Sequence, residues 1–416
     1  MGTTTASAPG GTPYAPGAIL DSTQAHVTKL QHAWQHIAQR DRDGLPLYNL
    51  SGLERGLHFP PDMPEWVDDD EWAGALYSDK VRQQGLRHLG GDPDRHDIAV
   101  TNRMTAALFA ALQVTATPGS TVIGVSPSYS HPAVVRGVRD ARADFVDTVG
   151  VDAFTEALNA ADDVSVVVVT RLAVTYDALS ETDLREIIDR AHARGALVVV
   201  DDAGGARIGP AILDQPRTLA LGADLGATGL DKYGVIGPRV GLLGGRADLV
   251  ARARSRAFEL GSECRPVLYP AVVQCLEQYD SQRVKDLVNS TKTVGLKLRE
   301  RLGDWVEETP FITRLSAEAI RHQYEVRSGN TVDIAPVEAT AALAMCMLRD
   351  YGILTVHFAG LPPGTAALLI KFLPPETIAE LGGADVFVDA VDSSITKAAQ
   401  VASDPKALRA LLMGNG

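Results

Sequence analysis

The chain reads as an α/β protein: an open, mostly parallel seven-stranded sheet covered by helices, followed by a smaller C-terminal α+β unit. Three observations predict this. Seven short apolar runs lie between residues 97 and 245, with amphipathic stretches between most of them. Several runs, "VSVVVVT" above all, are nearly continuous in Val, as strands covered on both faces should be. After about residue 280 the alternation stops and long helical segments take over.

In chain order, residues 1–16 ("MGTTTASAPGGTPYAP") lack a charged start followed by an apolar run, and are expected to be a disordered leader rather than a signal peptide. Residues 17–60 have no sheet assignment of their own and are expected to pack on the C-terminal unit. The large domain is placed at 61–285. Its strands are expected at 97–101, 120–126, 143–148, 164–170, 196–202, 223–229 and 240–245. The stretch 180–195 predicts a helix, with Ser180 as N-cap, Asp183 three residues on and Gly195 as the stop. The small domain is placed at 286–416. Its expected elements are a long helix over 281–308, a helix over 336–352, a strand over 366–374 and a closing helix. No internal repeat or coiled-coil pattern is present.

Composition excludes several classes. A net charge of −13 over 416 residues argues against nucleic acid, which needs a basic stripe. The densest basic cluster, "ARARSR" at 251–256, reads as a solvated helix face. No run approaches the roughly 18 apolar residues of a membrane span. Cys264, Cys275 and Cys346 show no metal or redox spacing, and no His/Cys/Asp/Glu pattern supports a metal. These features point to a cytoplasmic protein with reduced thiols.

In open α/β sheets, ligands gather beyond the carboxyl ends of the strands. Asp201 and Asp202 close one run; Thr101 and Asn102 end another and open the helix "MTAALFAALQ"; Lys232 follows the sixth strand. Of 39 basic residues nine are Lys, and Lys232 is the only one between Lys80 and Lys285. A desolvated amine can lose its proton and attack an aldehyde, whereas a guanidinium stays protonated. An amine, a strand-end carboxylate and a helix N-terminus together suit pyridoxal phosphate. The amine condenses with the aldehyde, the carboxylate keeps the pyridine nitrogen protonated, and the free N–H groups take the phosphate.

The stretches "TNRMTAALFAAL", "STVIGVSPSYSH", "VVVDDAGG" and "TGLDK" make the chain resemble the fold type I pyridoxal-phosphate enzymes from about residue 45 to the end. Within that fold, "DKYGVIGPRVGLLGG" is similar to the selenocysteine-synthase-like branch, through Gly237, Pro238, Gly241 and Gly245 after the Asp-Lys pair. The resemblance implies that Lys232 bonds the cofactor and that Asp201 contacts the pyridine nitrogen, with Asp202 as its alternative. Asn102, Arg103 and Met104 would bind the phosphate through backbone N–H groups, with Thr228 adding a hydroxyl. His131 would stack on the ring and take part in catalysis; the bland alternative is a packed residue near a turn. Arg171 and Lys371 would meet the substrate, although each, like Arg239, reads equally as a structural or surface charge.

Four departures stand out. Gly204 sits where many members carry a Tyr or His beside the phenolic oxygen. The turn from Lys232 to Gly237 is one residue longer than in the branch. Thr228 precedes the lysine by four residues rather than three, and Lys371 replaces an Arg. The acidic chain implies a small amino acid rather than tRNA as substrate. Members of this kind in nucleoside-antibiotic pathways use dioxygen to decarboxylate a glycyl-nucleoside amino acid oxidatively to a carboxamide, and the resemblance implies that reaction here. A lyase or aldolase working without dioxygen and a non-catalytic binding protein remain the alternatives. The fold also implies a homodimer, with 261–266 ("GSECRP") as a cross-subunit loop.

Overall fold

The computed structural model describes residues 11–414. Glu54–Lys285 form one compact unit, and the described residues before and after it form the other.

The larger unit holds a seven-stranded sheet: β1 (His96–Thr101), β2 (Thr121–Ser126), β3 (Asp144–Val149), β4 (Val164–Thr170), β5 (Leu197–Asp201), β6 (Leu225–Gly229) and β7 (Gly241–Arg246), in spatial order β1-β7-β6-β5-β4-β2-β3. All seven runs read from the sequence are strands. The pairs β2–β3, β2–β4, β4–β5 and β5–β6 are parallel, while β7 runs antiparallel to both β1 and β6. The reversal has a local cause. The parallel pairs are joined through helices, whereas β6 returns directly into β7 through residues 230–240, with no crossover helix. Close packing at this return requires glycine: a Cβ on Gly245, whose φ is +150°, would lie 2.1 Å from the Asp224 carbonyl oxygen.

Helices cover both faces. α1 (Asp70–Leu89), α2 (Met104–Thr115), α3 (Pro132–Asp140), α4 (Gly150–Ala160), α5 (Glu181–Ala193), α6 (Gly205–Ile212), α7 (Ala247–Glu259) and α8 (Tyr269–Glu277) follow in order. On one face Val166, Val168, Val199, Ala227 and Leu243 pack against α2, α3 and α7. On the other, Val167, Val169, Val198 and Val200 meet α4 and α5, while Ile98, Val100 and Leu242 meet α1 and α8. The Ser180–Asp183 capping box opens α5 as expected, and Gly195 follows its end at φ +76°. In α7, Arg254 and Arg256 pair with Asp97 and Glu259, so the basic cluster is neutralised within the unit.

The other unit is built on the helix Pro336–Tyr351, buried from Val337 to Leu348. A three-stranded antiparallel sheet adds Val306–Glu308, Ile312–Leu315 and Leu368–Lys371. The helix expected over 281–308 ends at Leu302, because Gly303 takes φ +96° and the chain re-emerges as a strand. The strand expected over 366–374 is shorter, stopping where Phe372 adopts φ +46°. Residues 23–42 form a helix, and Tyr48–Asn49 pair in parallel with Ile353–Leu354. Of the expected leader, residues 1–10 lie outside the described residues; further on, Thr12 is buried and the Tyr14 hydroxyl donates to the Pro363 carbonyl at 2.7 Å.

Candidate active site

Strand alternation divides the two aspartates at the end of β5. Asp201 pairs in register with Thr170 and Ala227, and so shares the sheet face that packs against α2. It is buried, and among the described residues its Oδ1 meets no hydrogen-bond partner. The neighbouring Thr170 Oγ1 is likewise buried without a partner. Burial, reinforced by the adjacent carboxylate of Asp202, pushes the Asp201 carboxyl up to about 7, against the pull of the Ala203 N–H and the Lys232 charge. A buried carboxylate in this condition is stabilised by an incoming cationic N–H donor.

Asp202 does different work. Fully buried, it takes Arg171 Nη2 at 2.9 Å and the Thr218 hydroxyl at 2.6 Å. Arg171 Nη1 also donates to the Pro216 carbonyl at 2.9 Å. Of the two readings of Arg171, substrate contact and structural charge, this geometry fits the second: the residue is fully buried and committed to an ion pair inside the unit.

Lys232 stands in the return between β6 and β7. Its Nζ lies 2.7 Å from Asp231 Oδ1, and Arg55 approaches the other Asp231 oxygen at 3.6 Å. Burial lowers the affinity of the amine for its proton, Asp231 opposes this, and the charges of Arg207 and Arg239 reinforce it. The loop is stapled by Glu54, which accepts the Gly234 N–H at 2.5 Å and Arg283 Nε at 2.9 Å. The backbone N–H of Glu54 also bonds the Asp231 carbonyl, and its own carbonyl accepts from Gly237.

At the start of α2 the open N–H groups begin one residue later than the expected Asn102. The Asn102 N–H is already given to the Ser262 carbonyl at 2.9 Å. Arg103 caps the helix in extended backbone without a side-chain cap, and among the described residues no acceptor meets the N–H groups of Met104 and Thr105. Gly241 lets this turn close in, since a Cβ there would lie 2.7 Å from the Arg103 carbonyl oxygen. Arg239 is held close enough to Arg103, Arg55 and Lys232 to feel their charges; burial and the first two push its guanidinium down to about 10. Together with Arg55, Gly56, Leu57, Gly237 and Pro238 it lines an open pocket of about 400 Å3.

His131 caps α3, accepting the Ala133 N–H on Nδ1 at 3.0 Å. Burial, then the charges of Arg136 and Lys232, push it down to about 4, so at neutral pH the ring is uncharged and carries its proton on Nε2. Thr228 does not join the open N–H groups. It lies on the opposite sheet face from Asp201, where its hydroxyl accepts Arg207 Nη1 at 2.8 Å and donates to the Ala203 carbonyl at 3.3 Å. Lys371 belongs to the other unit, buried at the end of its strand with Gly52 against its carbonyl. Segment 261–266 is engaged within its own chain: Glu263 bridges Thr101 and the Cys264 N–H bonds the Val100 carbonyl, covering the free edge of β1.

These groups fit pyridoxal phosphate: an orphaned carboxylate oxygen, a desolvated amine, open helix N–H groups beside a guanidinium, and a neutral ring. The sequence reading missed Thr105, because a helix start is not legible to one residue. It also missed the Glu54 staple, which nothing in the local pattern signals, and weighed Arg239 as a structural charge. Among the described residues no cluster of His, Cys, Asp and Glu could hold a metal ion, and no helix is long and apolar enough to cross a membrane.

A family model for aminotransferases of class I and II matches residues 79–313, more than half of the chain, and the chain belongs to that family. Its relatives include a UPF0425 pyridoxal phosphate-dependent protein of Methanothermobacter thermautotrophicus, 34% identical over 358 residues that cover 84% of this chain and 88% of that protein. A protein of the same description from Methanosphaera stadtmanae is 28% identical over 77% of this chain and 82% of its own length. Among solved structures, N-succinyldiaminopimelate aminotransferase from Mycobacterium tuberculosis superposes with a TM-score of 0.56 at 18% identity, covering 86% of this chain and 96% of that one. Aspartate aminotransferase from Rhizobium meliloti gives 0.53 at 18%, covering 88% and 95%. At that identity the likeness is one of fold, the fold type I architecture.

Proposed function

We propose that the protein is a pyridoxal-phosphate enzyme acting at Cα of a small amino acid, with Lys232 as the amine that carries the cofactor. The observation that supports this most is the orphaned Asp201 oxygen, on the α2 face of the sheet and within electrostatic reach of Lys232. When bound, the cofactor supplies an electron sink for the pair left at Cα. Asp201 would hold a proton on the pyridine nitrogen. Met104 and Thr105 N–H groups would bind the phosphate, and Arg239 would neutralise it. The uncharged His131 ring would lie against the cofactor without competing for that proton. Lys232 would hold the cofactor and serve as the base that moves the proton at Cα. Asp231 orients the amine through the 2.7 Å contact. Arg55 gives the pocket positive charge for the substrate carboxylate, the part first expected of Arg171 and Lys371.

The narrower reading is a dioxygen-using oxidative decarboxylase that turns a glycyl-nucleoside amino acid into a carboxamide; the Asp231-Lys232 turn and its glycines support it by resemblance to the selenocysteine-synthase-like branch. A lyase or aldolase would use the same Lys232 and Asp201. Borohydride reduction of the loaded protein should fix the cofactor on Lys232, and Lys232→Ala should abolish the adduct; trapping elsewhere in the variant overturns the assignment. An oxygen electrode, run with amino-acid nucleosides first, separates the reactions: turnover without oxygen uptake excludes the decarboxylase, and no turnover with any amino acid favours a binding protein. A cytoplasmic homodimer completes the proposal, and a stable active monomer in sedimentation would exclude the dimer.

A further inference from the structure

Arg207, on α6, is fully buried, and among the described residues no carboxylate forms an ion pair with it. Its Nη1 donates to the Thr228 hydroxyl at 2.8 Å and lies 3.4 Å from His88 Nε2. Its Nη2 donates to the Ala203 carbonyl at 2.9 Å and to the Gly229 carbonyl at 2.8 Å. The Nε, also buried, meets no partner among the described residues. A buried cation held only by neutral acceptors is costly, and an apolar side chain of similar volume would remove that cost. The charge at position 207 therefore calls for a reason beyond packing.

The two carbonyls supply it. Ala203 lies two residues after Asp201, and Gly229 ends β6 three residues before Lys232. The guanidinium thus ties together the chain just beyond one site residue and just before the other. Strand alternation puts Thr228 on the Arg207 side and turns Gly229 toward the face of Asp201. On that face the lysine folds back over the strand end. A Cβ on Gly229 would lie 2.6 Å from Lys232 Nζ and 3.1 Å from Asp231 Oδ1. Position 229 is bare because the amine and its carboxylate occupy that space, while the same residue's carbonyl is held by Arg207.

The groups around the amine divide by sign. Asp231 favours its proton and the charges of Arg207 and Arg239 oppose it, while Asp201 and His131 both feel the amine's own charge. Around Arg207, burial works against the charge, and Tyr279, Asp202, Tyr233 and Asp231 favour it from beyond ion-pair distance. Asp202 is already paired with Arg171. Burial and the charges of Arg207 and Arg217 keep His88 neutral, and burial pushes the Cys275 thiol up to about 12. The guanidinium cannot shed its proton to escape, so its charge is permanent.

Resting on the reading of Lys232 as the reactive amine, we propose that Arg207 is its positioning residue: the guanidinium fixes the backbone seat of the amine at Gly229 and sets a permanent positive charge against it. A neighbouring cation favours the neutral amine, the form that attacks an aldehyde. Asp231 orients the amine; Arg207 counters the hold of that carboxylate on the amine's proton.

The test uses the cofactor-free protein, trace-labelled with acetic anhydride across a pH series and read lysine by lysine through peptide mass spectrometry. The exposed Lys80 and Lys285 are internal standards. Lys232 should label with a midpoint below theirs, and a wild-type midpoint at or above theirs overturns the proposal without any variant. Arg207→Met should raise the Lys232 midpoint by about one unit, leaving about tenfold less neutral amine at neutral pH. Arg207→Gln, which keeps a donor without the charge, should shift it likewise and serves if the Met variant does not fold. Arg207→Lys keeps the charge and loses the planar fork, and should return the midpoint most of the way to wild type. An unmoved midpoint in a folded, uncharged variant overturns the proposal, and so does a Lys variant that shifts as far as the Met variant. Borohydride trapping, run alongside, separates this from the reading it rests on. The midpoint shift without any trapped pyridoxal phosphate overturns the cofactor assignment alone, whereas trapping at Lys232 without the shift overturns the role of Arg207 alone.

Discussion

Replacing Arg171 separates a structural role from a substrate role. Asp202 is fully buried, and the Arg171 guanidinium at 2.9 Å is the cation that compensates it. In Arg171→Met the carboxylate keeps only the Thr218 hydroxyl, and the Pro216 carbonyl loses a donor. Removing one partner of such a pair costs about 3–5 kcal/mol. Since the whole domain is stabilised by about 5–15 kcal/mol, the variant should fold with a much lower urea midpoint.

The double variant Arg171→Met with Asp202→Leu removes both charges and should recover most of the loss, leaving about 1–2 kcal/mol for the orphaned Pro216 carbonyl and Thr218 hydroxyl. Urea unfolding of the cofactor-free protein, followed by far-UV circular dichroism, measures both variants. An Arg171→Met protein with an unchanged midpoint and a raised KM would refute the reasoning and return Arg171 to the substrate.

Two further outcomes follow from the site. The Asp201 carboxyl, raised to about 7 in the folded protein, binds a proton that the unfolded chain has lost above about pH 4, so cofactor-free stability should fall as pH rises from about 4 to about 7; Asp201→Asn should flatten the urea-midpoint profile in that window, and an unchanged profile would assign the slope to another group. Gly241→Ala drives a Cβ against the Arg103 carbonyl and should weaken pyridoxal phosphate retention at least tenfold by equilibrium dialysis, as expected when a preformed anion cradle is displaced; retention equal to wild type would place the phosphate elsewhere.

The strands were legible because runs such as Val164–Thr170 must be covered on both faces, and composition alone reports that. Their direction was not, since an apolar run carries no polarity; only the absence of a helix between β6 and β7 hinted that β7 turns back. Asp201 was legible from its place at a strand end. Arg171 was left open between substrate and structure because an arginine at a strand end looks the same whether it faces a cavity or an internal carboxylate. Arg207 gave no signal, because a buried cation is invisible until the carbonyls it ties are folded around it.

The period-two alternation of β5 explains why one carboxylate is ion-paired while its neighbour is not. Asp201 and Asp202 are adjacent and both buried, and each would be costly alone. By pointing to opposite faces they meet different chemistry. Asp202 faces Arg171, which neutralises it, and Thr218, which bonds the same oxygen; among the described residues its Oδ1 meets no hydrogen-bond partner. Asp201 faces α2 and, among the described residues, no cation reaches its Oδ1. A one-residue slip of β5 would exchange the two, sending the compensated carboxylate to the site and the orphan into the α6 side of the sheet. The Arg171 pair therefore pins the register of β5 as well as neutralising Asp202, and through that register it keeps Asp201 on the face shared with the open N-terminus of α2.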